Sequence, residues 1–196
     1  MSLAQLLERG ARDIEHYRGR AQPPASPLEW LGIAVAHMPE LTACARTADD
    51  VSGRSRPAPP EVRAPLLDSL ARELGAAAAT IDQALKRLLE RHPECDSGER
   101  PEEYSELIEI AQRPATRRSE MMIGAYAAFI GGAVEAAGGL ADEELAVAHP
   151  RRWDRTDHEP IVETRAGQLH AALTNALGGL LAYARLLEAD AARLRE

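Results

Sequence analysis

The residues 149–160, HPRRWDRTDHEP, hold the densest collection of chemically capable side chains in the sequence. Arg151, Arg152, Trp153, Asp154, Arg155, Asp157, His158 and Glu159 set both charge signs and an indole side by side. An imidazole close to carboxylates can titrate across neutrality and act as a base or a metal ligand, while guanidinium groups stabilise developing negative charge. Glu163 and His170 follow seven residues apart, a spacing that places them on one helix face. Arg152, His158, Glu163 and His170 are therefore the candidate catalytic set. Trp and Arg are also the residue types most often found as interface anchors, so Arg151, Arg152, Trp153 and Arg155 form the candidate interaction set. The plainer reading is a surface loop between Pro150 and Pro160, with Trp153 covering a bundle end and the charges paired locally. The sequence favours that plainer reading, because structural ion-pair networks are common.

Metal sites in helical proteins need ligands at i, i+3 or i, i+4, since only those spacings share a face. No histidine follows a glutamate by three residues, no two histidines stand four apart, and Asp13 with His16 is the one acid-x-x-His. No metal and no cofactor is expected. Glu103 and Glu106 form an ExxE that resembles half of the metal-binding motif in the all-α nucleotide pyrophosphohydrolases of the MazG type. The second half, ExxD on the next long helix, is missing: Glu120 and Glu135 stand alone there, and Asp154 with Asp157 lies in the proline-bracketed loop. An arginine followed by a histidine resembles the nuclease signature of the HEPN helical bundles, and Arg165–His170, Arg152–His158, Arg87–His92 and Arg9–His16 all fit its spacing. Four matches in an arginine-rich chain carry little information, and Ala166 and Trp153 occupy the place of the polar residue that follows the arginine in that family. There is no GxSxG, no GxxxxGK[ST] and no GxGxxG.

Composition narrows the classes further. A chain of 196 residues suits a single domain, 1–196, and at this size burial alone can stabilise it. Cys44 and Cys95 lack CxxC partners and read as free thiols of a reducing compartment. The opening MSLAQLLERG has neither a basic nor an apolar signal region, so a cytoplasmic location is expected. The net charge of −8 argues against nucleic acid as a partner. Lys86 is the single lysine among 23 basic residues, which points to a GC-rich bacterial genome more than to phosphate recognition.

The elements that must position these residues are helical throughout. Residues 121–134, MMIGAYAAFIGGAV, carry no charge and are apolar on nearly every face, predicting a buried central helix over about 115–137. Fourteen such residues fall short of the about 20 needed to span a bilayer. Gly138-Gly139 is expected to end this helix, with a short one over 140–149 after it. Residues 2–18 read as an amphipathic helix and 102–112 as a short, solvent-facing helix with acids in its first turn, and Ser26-Pro27 with Glu29 marks another start, with a kink or break at Pro39. Two long amphipathic segments follow the stripes Val62, Leu66, Leu70, Leu74, Ala78, Ile81, Leu85, Leu88 (about 61–92) and Val162, Leu169, Leu173, Leu177, Leu180, Ala184, Leu187 (about 161–195). Gly75 and Gly178-Gly179 could break them, or Gly178-Gly179 could admit a crossing helix. Residues 52–60 and 149–160 are the expected loops. No stretch alternates as a strand would.

The expectation is an all-α, single-domain bundle of about six to seven helices that acts through protein contacts as an adaptor, assembly or regulatory subunit and self-associates. Two alternatives stand beside it: a small hydrolase or metal-dependent enzyme using the loop and the start of the last helix, and a ligand-binding or sensing domain with an apolar pocket near Gly131-Gly132.

Overall fold

Ser26 opens the first helix as its sequence dictates. In a computed structural model, which describes residues 24–53, 56–96, 98, 107, 109, 117–148 and 164–196, the Ser26 hydroxyl accepts from the Glu29 amide at 3.3 Å and the Glu29 carboxylate accepts from the Ser26 amide at 3.1 Å. With Pro27 at the first helical position, this box starts α1, Pro27–Ser52. Pro39 does not break it. The ring sits on the exposed side, where water can satisfy the carbonyl that its missing N–H leaves unpaired.

Three more long helices follow: α2, Pro60–Arg91; α3, Arg118–Ala148; and α4, Arg165–Arg193. A 3-10 turn, Pro93–Cys95, closes α2. The four helices pack together as an all-helical bundle, with no strand among the described residues. Six to seven helices were expected. The smaller number among the described residues arises in part because Gly138-Gly139 lies inside α3, which takes in the short helix expected over 140–149; Gly75 inside α2 and Gly178-Gly179 inside α4 likewise break nothing. A helix-interior glycine costs only about 1 kcal/mol against alanine, which the buried neighbours on the same helices readily outweigh. The expected helix over 2–18 lies outside the described residues, as does most of the one over 102–112.

Helix α2 packs on α1 and α4, and α3 packs on α1 and α4, so each helix has two neighbours and the pairs α1/α4 and α2/α3 face each other across the diagonals. Long-range contacts fix the directions. Asp49 near the end of α1 reaches the start of α3, Arg118 at the start of α3 reaches Asp190 near the end of α4, and Arg195 just after α4 bonds Asp68 near the start of α2. Neighbours therefore run antiparallel, the up-and-down arrangement of helical bundles.

The seam between α2 and α4 is regular. On α2, Ala64, Leu67, Ala71, Leu74, Ala78, Ile81, Leu85 and Leu88 are buried at strictly alternating steps of three and four, and Ala166, Leu169, Leu173, Ala176, Leu180, Tyr183 and Leu187 do the same on α4. That spacing is the heptad pattern of knobs-into-holes packing, and the alanines let the backbones approach closely. The observed α2 stripe is shifted from the expected one at its start: Val62 is 48% exposed, and Leu67 is buried where Leu66 was expected. A strict heptad read back from Leu88 reaches Leu67 and Ala64, and leaves Val62 off the seam.

Helix α3 corrects the expectation of a buried central helix. It occupies a corner of the bundle. Met122, Ile123, Tyr126, Ile130, Ala133, Val134, Ala136, Ala137 and Leu140 are buried, while Met121, Gly124, Ala128, Gly131, Gly132 and Glu135 are exposed. The stretch Arg118–Asp142 is long and apolar enough by length and composition to cross a membrane, yet only 44% of its most apolar window is buried. Apart from Met121 the outward apolar residues between Gly124 and Gly132 are small, so this stretch exposes little apolar area.

Gly179 of α4 meets a residue from outside the four helices. Leu107 seats against Gly179, and a Cβ added there would fall inside its side chain.

Candidate functional site

Arg151, Arg152, Trp153, Arg155, His158 and Glu163 lie outside the described residues, as does the rest of the 149–160 loop. His170 is described. It is half-buried on α4, and burial pushes its imidazole below the ordinary value while the charge of Asp96 opposes that shift. Arg165, its partner in the arginine–histidine spacing, lies over Gly139 of α3 and donates to Gln168 at 3.1 Å. Five residues on a helix separate two side chains by about 140°, so one addresses α3 and the other the turn after α2. The structure does not bring them together. Gly131 and Gly132 are exposed, and among the described residues nothing lies within 4 Å of a Cβ on either to wall a pocket beside them. Among the described residues no three His, Cys, Asp or Glu side chains gather as a metal-holding group. Cys44 and Cys95 are free, and burial pushes both thiols up, away from the reactive thiolate.

The polar residues that do converge are at the other end of the bundle. The Asp49 carboxylate accepts from the amides of Ser119 at 3.1 Å and Glu120 at 2.9 Å, capping α3 with a side chain from α1. Arg117, just before the helix, has a φ of 58°, a left-handed turn that sets those amides toward Asp49. Arg118 then points into the bundle, with its side chain only 12% exposed. Its Nη2 donates to Asp190 Oδ2 at 2.9 Å, and its guanidinium lies 5.4 Å from the centre of the Tyr183 ring. Tyr183 is fully buried, its hydroxyl 2.5 Å from that of Ser119, itself buried. Arg193 closes on Asp190 at 3.2 Å.

The charges here are held in fixed states. Burial works against the Arg118 cation, but the bonds with Asp190 and Tyr183 outweigh it and raise its pKa. Burial pushes the Tyr183 phenol up against the opposing influence of Ser119 and Arg118, so it stays neutral near pH 7. The Asp49 carboxylate is engaged by two amides and the Asp190 carboxylate by two guanidinium groups. What they frame is a cleft of about 300 Å³ lined by Asp49, Ser52, Arg63, Arg118, Ser119 and Asp190 together with Leu67, Leu187, Arg193 and Leu194. Neither histidine nor cysteine lines it.

Sequence reasoning missed this cluster. Its members come from all four helices, and 72 residues separate Arg118 from Asp190. The available signal was slight: Arg117-Arg118-Ser119-Glu120 stands directly before the uncharged run, where a buried start requires its charges to be answered from elsewhere.

No family model matches the chain, no curated protein matches it, and no solved structure matches it. The functional reading therefore rests on the geometry alone.

Proposed function

We propose that this chain is a non-enzymatic helical-bundle protein working through protein contacts, as an adaptor, assembly or regulatory subunit, and that its first partner is a second copy of itself docked on the outer face of α3. One observation carries the reading. Gly124, Gly131 and Gly132 are helix-interior glycines, and a Cβ on any of them meets nothing within 4 Å. Each costs about 1 kcal/mol of helix stability relative to alanine, and no described neighbour in the bundle needs the space. Gly124, Ala128 and Gly132 recur every fourth residue on the exposed side, a small-residue stripe that lets two helix backbones approach closely.

A second copy fits the charges that flank the stripe. Exposed Arg117 and Glu120 stand at one end of the face, the Glu120 charge answered by Arg46 of α1 at 3.7 Å, and exposed Glu135 and Asp142 stand toward the other. Antiparallel pairing of two α3 helices brings the arginine of one copy to the acidic end of its partner. Such a two-fold contact is self-complementary, as a symmetric dimer requires. The net charge of −8 supports a protein partner over nucleic acid, and a cytoplasmic setting in a bacterium is part of the same proposal.

Light scattering coupled to size exclusion, over a range of concentrations, tests it. The wild type is expected to show a dimer that dissociates on dilution, and Ala128→Glu, which puts a charge at the centre of the stripe, is expected to be monomeric with unchanged helicity. A wild-type monomer at every concentration would sink the proposal.

A further inference from the structure

We infer that the cleft at the Asp49 end of the bundle is a binding site for a small oxyanion, a carboxylate- or phosphate-bearing molecule, held by Arg63 with Arg118. The inference is independent of the outer face of α3.

Three guanidinium groups, Arg63, Arg118 and Arg193, line this cleft against two carboxylates, Asp49 and Asp190. Both carboxylates are already engaged. Asp49 accepts the two α3 amides, and Asp190 accepts from Arg118 and Arg193. Arg63 has no ion-pair partner among the described residues, so the lining carries one uncompensated positive charge in a chain whose net charge is −8. The Nε–H groups of both Arg63 and Arg118 are buried and have no acceptor. Buried donors normally find a partner; these two have no surface open to the cleft as it stands, so an anionic acceptor reaches them once the guanidinium groups turn toward it. Planar guanidinium groups match the paired oxygens of carboxylate and phosphate.

The volume sets the size of the guest. About 300 Å³ lies at the lower end of small-molecule sites, which suits a short dicarboxylate or a phosphate ester and not a nucleic-acid strand. Leu67, Leu187 and Leu194 supply an apolar wall, so a guest with a short carbon skeleton is favoured over a bare ion.

The test is titration calorimetry on the full chain at constant ionic strength, with inorganic phosphate as one probe and succinate as the other. Saturable binding of at least one probe is expected. Phosphate alone assigns the guest to phosphate esters, and succinate alone assigns it to carboxylates. In Arg63→Gln the affinity is expected to fall by about tenfold or more, the scale of one charge-assisted contact, with helicity unchanged. In the wild type, the Nε–H nuclear magnetic resonances of Arg63 and Arg118 are expected to move along the same saturation curve. Absence of saturable binding by both probes would overturn the inference. So would binding that leaves those two resonances in place, or binding that Arg63→Gln does not weaken.

Discussion

Asp49 gives both of its carboxylate oxygens to the amides that open α3, so a single side chain joins the end of one helix to the start of another. Losing a capping acceptor costs about 0.5–2 kcal/mol. Asp49→Ala is expected to lower stability by about that amount in urea unfolding, with Asp49→Asn recovering part of it, and an unchanged midpoint in Asp49→Ala would contradict the capping role. His170 has a sign of its own. Its folded-state pKa lies below the ordinary 6.5 because burial disfavours the charged ring. The unfolded chain therefore binds more protons between the two values, and stability falls as pH drops through about 6.5 until the folded-state pKa is passed. His170→Gln is expected to flatten that part of the curve, measured as urea midpoints at about pH 7.5 and about pH 5.5. Glu94 contributes a separate decline at lower pH. Its carboxyl sits below the usual range, through a backbone hydrogen bond first and His92 second, so what it adds is present above about 4.5 and is lost below that.

At the scale of the element, glycines of the same residue type play opposite parts. Gly179 of α4 is filled by Leu107. Gly179→Ala is expected to cost about 1–3 kcal/mol through overpacking, and Leu107→Ala in the same chain is expected to return part of that loss. A thermal melt of Gly179→Ala matching the wild type would show that the Leu107 contact does not form. Gly124 and Gly132 of α3 face open space, so Gly124→Ala and Gly132→Ala are each expected to stabilise the isolated bundle by about 1 kcal/mol. The same substitutions thicken the stripe that a second copy would approach, and are expected to weaken self-association. Higher stability at low concentration together with a larger dimer dissociation constant is the joint outcome that checks this. Stabilisation with no change in association would leave these glycines without a docking role.

Over the whole molecule, the arrangement divides its work between two ends and a side. The α2/α4 seam, heptad on both partners, holds the bundle together. The end formed by Asp49, Arg118, Tyr183 and Asp190 ties α1, α3 and α4 by charge and hydrogen bond and frames the arginine-lined cleft, to which α2 adds Arg63 and Leu67. The outer face of α3 is left smooth and nearly uncharged. The opposite end holds a far smaller cavity, about 70 Å³, lined by Ser26, Leu28, Leu88, His92, Leu140 and Leu169, which has room for little more than water.

The helical class, the start at Ser26, the long spans of α2 and α4 and the seam-facing leucines other than Leu67 were legible in the order of residues, because capping and heptad repetition are local and need only a few neighbouring positions to declare themselves. Whether Pro39, Gly75 and Gly138-Gly139 would interrupt their helices was not, since that depends on the burial around each and not on the glycine or proline alone. The place of α3 at a corner was decided by tertiary packing: its sequence is apolar all round, and only the presence of α1 and α4 selects which faces are covered. The arginine-lined cleft was likewise settled in three dimensions, where Asp49 and Arg63 from the first half of the chain meet Arg118, Asp190 and Arg193 from the second. Charges that far apart in sequence carry no periodic trace of the neighbours they will find, and only the antiparallel course of the helices gathers them around one cleft.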